Sequence, residues 1–218
     1  MDLRQDFVRQ LDQLHDELSQ LSQCVENIFN KAAYSACTTA SKKSPLPHEK
    51  QILRDKERSI ETLALRLLLL QQPVAGDLRE VSGALKVVSD FKRIGDLSIE
   101  IIAMVSDLDE QSHPIQENEL SSMIGLVKNM VNQSFKAYLS HDVDRALETA
   151  PIDARVDTYL QTISSVLSDQ IENKHIEGHE ALTLLMIAKY FERIADHAES
   201  ICYWTEYVKL GTRKGMRM

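Results

Sequence analysis

A chain of 218 residues with 7 Gly, 5 Pro and only 6% aromatic residues is short of the turn formers and rings that sheets use, which points to helices. Its net charge of −8 argues against a nucleic-acid partner, since such a protein must present clustered cations to displace counterions from phosphates. The 3 cysteines, Cys24, Cys37 and Cys202, lie outside any Cys-x-x-Cys spacing and support neither a disulfide framework nor a thiolate zinc site, so a reduced, cytoplasmic protein is expected.

The N-terminus MDLRQDFVRQ carries acids and no apolar core, unlike a secretory signal. From there Phe7, Leu11, Leu14, Leu18, Leu21, Val25 and Ile28 recur at alternating intervals of four and three. That heptad seam predicts a long first helix to about residue 40. It ends before Ser44-Pro45-Leu46-Pro47, where two prolines remove donors and disfavour helix upstream. A second helix is expected from about His48 to Gln72, with Leu53, Ile60, Leu63, Leu67 and Leu70 on one face. Its run Leu63 to Leu70 contains Arg66 and is too short to span a bilayer, so any membrane association would be peripheral.

Pro73 suits a first helical turn, and a third helix is predicted from it to about Asp109, with the stripe Ala84, Val87, Phe91, Ile94, Ser98, Ile101, Val105 and Leu108. Glu110 to Gln116 reads as a linker. A fourth helix follows to about Leu147, with Ser140-His141-Asp142 as a possible interruption, and a fifth opens at Pro151 with Val156, Leu160, Ile163, Leu167 and Ile171 as its stripe. After a hinge at Ile176 to His179, a sixth helix runs from about Glu180 to Leu210 and stops at Gly211. The basic tail, Lys209, Arg213, Lys214 and Arg217, reads as a soluble end.

The third and sixth helices carry one motif twice. Asp90 to Ile101 (DFKRIGDLSIEI) aligns with Tyr190 to Ile201 (YFERIADHAESI), superposing Phe91 on Phe191, Arg93 on Arg193, Ile94 on Ile194, Asp96 on Asp196 and Ile101 on Ile201. The chain is therefore one unit used twice. The expected fold is all-α, a tandem repeat of two three-helix bundles, six long antiparallel helices divided into residues 1–112 and 113–218. They form two compact halves or two halves fused into one body.

Glu192 and Asp196, one turn apart, fall away from the Leu184, Ile187, Phe191, Ile194, Ala198 and Ile201 stripe and are expected on a surface of the bundle. The same wheel positions in the first half hold Lys92 and Asp96, with Glu100 a turn later. Asp153 with Asp157, and Glu57 with Glu61, offer matching pairs on the middle helices. Where the second and third helices of a half are neighbours, four oxygen donors converge, a set suited to Mg, Mn or Fe. The plainer reading is solvated surface acid in a chain with 33 acidic residues.

A buried di-iron bundle needs paired Glu-x-x-His turns in the core. The two such strings, Glu110 to His113 and Glu172 to His175, lie at helix ends, and His197 is expected on a helix surface. Sequence signatures of nucleophilic catalysis and of nucleotide-cradling loops are missing, so no enzyme is expected.

Leu70-Gln71-Gln72-Pro73-Val74-Ala75-Gly76-Asp77-Leu78-Arg79, Phe91-Lys92-Arg93-Ile94-Gly95-Asp96 and Phe191-Glu192-Arg193-Ile194-Ala195-Asp196-His197 together resemble the PhoU family of phosphate-uptake regulators, over essentially the whole chain. The resemblance implies a cytoplasmic accessory protein that docks on the ATPase of a phosphate ABC transporter and on a sensor histidine kinase. Uptake and phosphate-starvation signalling are restrained when phosphate is sufficient. It also implies surface Fe, Zn or Mn bound by carboxylates. By position, the second-half ligands would be Asp153, Asp157, Glu192 and Asp196, and the first-half ligands Glu57, Glu61, Asp96 and Glu100.

Two positions depart from the family pattern: Lys92, where glutamate is usual, and Ser200, where asparagine is common. An ammonium among the ligands repels a metal, so the first site depends on Lys92 pointing away. The alternative function is a metal-storing or metal-dependent helical bundle without a phosphate connection. A homodimer is expected through an unpaired heptad edge, and Arg93 and Arg193 are candidates for an anion contact.

Overall fold

The computed structural model describes residues 3–38, 47–71, 76–108 and 119–211, and among these no strand occurs. The helices are α1 (Leu3–Thr38), α2 (Pro47–Gln71), α3 (Gly76–Ser106), α4 (Glu119–Ser140), α5 (Val143–Thr149), α6 (Asp153–Glu172) and α7 (Gly178–Leu210), with one 3-10 turn at Ala150–Ile152. Six are the long helices of the tandem repeat, and α5 is a short addition. Pro73 and the linker Glu110 to Gln116 lie outside the described residues.

The stripes are buried as their spacing predicts. In α1, Phe7, Leu14, Leu18, Leu21, Val25 and Ile28 are all in the core, as are Leu53, Ile60, Leu63 and Leu67 of α2. Leu11, Leu108 and Leu160 are half-buried, and among the described positions Ile171 is exposed, because it falls in the last turn of α6. The helix ends follow local chemistry. Gly211 takes φ 74° and returns its N–H to the Tyr207 carbonyl, a left-handed turn that favours glycine. The predicted interruption at Ser140-His141-Asp142 separates α4 from α5, and the Asp142 side chain accepts from the Arg145 N–H at 3.0 Å to cap α5.

Helices α1 and α2 pack with α3, and α4 and α6 pack with α7. The two triplets meet along α3 and α7, which run antiparallel: Arg79 donates to the Val208 carbonyl at one end, and Asp90 meets His197 and Ser200 further along. A side chain at Gly83 would bring its Cβ within 2.3 Å of Val208 Cγ2, so a larger residue would force Val208 to shift where α3 approaches α7. A Cβ at Gly95 would meet Leu53 Cδ1 at 2.6 Å, so glycine also lets α2 lie close beside Asp96.

The duplicated phenylalanines reach across the halves. Phe91 of α3 lies 4.3 Å, centroid to centroid, from Phe135 of α4, and Phe191 of α7 meets Phe29 of α1 edge-on at 6.1 Å. The apolar interior is accordingly continuous from one triplet to the other.

Candidate functional site

In the second half, the start of α6 lies against the middle of α7, and this brings Asp153 close to the acids of the repeated motif. Burial first, then the charges of Glu199, Asp196, Asp157 and Glu192, push the Asp153 carboxyl from 3.8 up to about 7. Asp196 is raised too, by burial and then by Glu192. Asp153 Oδ1 and Glu192 Oε2 are buried and accept no hydrogen bond, while Lys189 Nζ donates to the other Glu192 oxygen at 2.5 Å. Buried acceptors without donors, among like charges, are the condition in which a cation is favoured. The residues therefore fit a hard or borderline metal, although among the described residues no three of these carboxylates have oxygens mutually within 4.8 Å. Holding an ion requires the side chains to close around it, or waters to bridge.

Glu199 belongs to this set and was not among the predicted ligands. It heads the charges acting on Asp153, and its Oε1 accepts from Tyr203 Oη at 2.6 Å. Its spacing, three residues beyond Asp196, was the available signal.

The first half is built differently. Lys92 Nζ lies 3.2 Å from Asp96 Oδ2 and 3.6 Å from Glu57 Oε2, so the ammonium sits between the carboxylates that would hold a metal. Burial pushes the Glu57 carboxyl above its ordinary value, Lys92 pulls it down, and Glu61 and Asp96 push it up again. This set does not fit a metal, because Lys92 already supplies the cation. Glu100 is exposed, and after burial it is the group that raises the Tyr190 phenol of α7.

Two expectations are corrected. Of the pair expected on the surface, Asp196 is exposed but Glu192 is buried at 8% exposure, as is Asp96 of the first copy at 9%. Each buried acid points away from its own apolar stripe, as spacing predicts, but α3 and α7 are the two central helices, so their flanks are covered by neighbours. His197 is not a free surface histidine either. Its Nδ1 is 2.9 Å from Asp90 Oδ1, and Ser200 Oγ donates to Asp90 Oδ2 at 2.9 Å, tying α7 to α3. Arg193 lies over the Tyr190 ring at 5.9 Å.

Of the two Glu-x-x-His strings, Glu172 and His175 are exposed at the end of α6, and Glu110 and His113 lie outside the described residues. Glu172 and His175 give no internal metal pair. Cys24, Cys37 and Cys202 are free. No described helix is long and apolar enough to cross a membrane.

Two three-helix units joined through their third helices, each with an acid set at the junction of its second and third helix, define a class of tandem helical-bundle proteins. The chain belongs to the PhoU family: the PhoU domain matches it twice, over residues 18–105 and 120–205. It is 28% identical over 214 residues to the phosphate-specific transport system accessory protein PhoU homolog of Clostridium acetobutylicum, covering 95% of this chain and 96% of that one. It is 31% identical over 199 residues to the PhoU homolog 2 of Mycobacterium tuberculosis, covering 86% and 92%. The crystal structure of the phosphate transport system regulatory protein PhoU from Streptococcus pneumoniae superposes with a TM-score of 0.88 at 25% identity, over 96% of this chain and all (100%) of that one. PhoU from Pseudomonas aeruginosa superposes with a TM-score of 0.83 at 27% identity, over 94% of this chain and 100% of that one.

Proposed function

We propose that this chain is a cytoplasmic accessory protein of phosphate transport that restrains a phosphate ABC transporter and its sensor histidine kinase by docking on them. The observation that carries this reading is the match of both repeats, along nearly the full length, to relatives named as phosphate-specific transport system accessory proteins. Docking asks for exposed helix faces rather than a reaction centre. Leu65 and Leu69, one turn apart on α2, and Leu182 and Met186 on α7, are exposed apolar pairs suited to a partner helix. A homodimer would use similar faces.

The second acid set, Asp153, Asp157, Glu192 and Asp196 with Glu199, is proposed to take Fe, Zn or Mn. A bound cation there would neutralise the crowded carboxylates and brace α6 against α7. The first set, Glu57, Glu61, Asp96 and Glu100, is not proposed as a metal site, since Lys92 fills it.

Deleting the gene and measuring phosphate uptake and phosphate-starvation gene expression in phosphate-rich medium tests the regulatory role. Derepression in both, with recovery of the transporter ATPase on immobilised protein, is the expected outcome. Normal phosphate control in the deletion strain would overturn it. Metal content measured after incubation with Mn or Fe tests the acid set: Asp196→Ala should bind less than wild type, and equal loading would sink that part.

A further inference from the structure

We propose that His15, Glu80 and His141 form a binding site for a single divalent transition-metal ion of the zinc type, at the end of the molecule where α1, α3 and the turn after α4 meet. Among the described residues this is the group whose three ligand atoms all lie within 4.8 Å of one another. His15 Nε2 is 2.8 Å and His141 Nε2 3.5 Å from the same oxygen, Glu80 Oε1. Tetrahedral ligands at about 2.1 Å from zinc stand roughly 3.4 Å apart, so an ion enters with small side-chain shifts. Two imidazoles and one carboxylate suit borderline ions such as Zn or Fe(II), not Mg or Ca.

The site is built rather than incidental. His141 holds φ 53°, a left-handed conformation uncommon outside glycine, and hydrogen bonds from its own N–H to Tyr138 O and from Asp142 N–H to Ala137 O fix the turn on both sides. The Asp142 cap on α5 anchors the same turn from beyond. Beside it Tyr138 is fully buried with an unpartnered hydroxyl, and Glu80 adds to the burial that raises that phenol.

Asp12 and Asp16 on α1 add negative potential at His15, and the Glu80 contact raises this imidazole above its ordinary value. The three ligands open on a cleft of about 300 Å³ lined also by Leu11, Gly76, Asp77, Val208 and Lys209, which leaves room for a water as fourth ligand. By the repeat's offset Glu80 falls on Glu180, but His15 and His141 fall on Ile115 and Ser41, unlike residues outside the described ones, so the repeat does not supply a second such group. Because His15 and Glu80 belong to the first triplet and His141 to the second, the ion would clamp the two halves together. This inference is independent of phosphate control.

The full chain, stripped with EDTA, is titrated with Zn²⁺ in a calorimeter while the 15N-labelled histidine side chains are followed by NMR. One ion per chain that shifts the His15 and His141 ring signals is expected, together with a higher unfolding temperature. The variant Asp153→Asn, Asp157→Asn, Glu192→Gln, Asp196→Asn removes competing carboxylates and should keep this ion. Glu80→Gln, His15→Gln and His141→Ala should each weaken it by about a hundred-fold or more, beyond the loss typical of outer-shell changes. Any of them that fails to fold is replaced as evidence by the wild-type ring signals. Unmoved His15 and His141 signals on adding Zn²⁺, or wild-type affinity in the folded histidine variants, would overturn the proposal.

Discussion

The two acid sets began as copies of one motif and now solve the same electrostatic problem in opposite ways. In the first half Lys92 lies between Glu57 and Asp96, so the cation is part of the chain. In the second half Glu192 takes that place and adds an acid, leaving Asp153 with a carboxyl pushed up to about 7 and two buried oxygens without donors, Asp153 Oδ1 and Glu192 Oε2, against Asp96 Oδ1 in the first half. The Lys92 ammonium reaches two carboxylates of the first half, whereas Lys189 in the second half pairs with Glu192 alone and stays half-exposed. A crowd of carboxylates must find protons or a cation, so the second half is sensitive to its surroundings. One residue on a duplicated helix, lysine against glutamate, separates a structural pairing from a responsive one.

The largest effects test whether the halves are separable at all. Phe91→Ala and Phe191→Ala each remove a fully buried ring shared with the other half, and each should cost about 3–5 kcal/mol. Followed by circular dichroism and by Trp204 fluorescence in urea, each variant should unfold in one transition common to both probes. Two separate transitions would mean that the halves are independent units.

Lys92→Glu should make the first half imitate the second. Without metal it places another acid beside Glu57 and Asp96 and should destabilise by about 2–3 kcal/mol. With Mn²⁺ present, equilibrium dialysis should find additional bound metal, and no gain would break the proposed equivalence of the sites.

Smaller is the change at Asp153→Asn, which carries a definite sign. A carboxyl whose folded value is raised from 3.8 to about 7 favours folding in its protonated form, so its support is intact below about pH 4 and is lost as pH rises towards 7. Wild type should therefore lose stability between pH 5 and pH 8 relative to the variant, by about 1 kcal/mol after allowance for solvent access. Melting temperatures across that range in EDTA check it, and parallel profiles would contradict the assignment. The smallest expected effect is Asp90→Asn, which weakens the cross-half contacts to His197 and Ser200 by about 0.5–1 kcal/mol, read from the urea midpoint.

Most of the fold was legible in the chain. The heptad of α1 and the stripe of α3 place their residues in the core nearly one for one, because helical periodicity is a local property that every apolar residue reports. The acid sets were legible in part. Spacing put Asp153 and Asp157 on one helix face and Glu192 and Asp196 on another, and it showed Lys92 where an acid stands in the second copy. It could not show that Asp96 and Glu192 are buried, because a helical wheel describes one helix and says nothing of what covers its flanks.

By itself, then, the sequence determined six long helices, their inward faces, the duplication and the residue at which the copies part. Only the tertiary structure decided where charges meet between helices: Lys92 turned inward, His197 on Asp90, and His15, Glu80 and His141 around a single carboxylate oxygen. These last three stand on three separate elements, with no common period to announce them. They come together because packing α1, α3 and α4 on one continuous core carries side chains distant in sequence to the same end of the molecule.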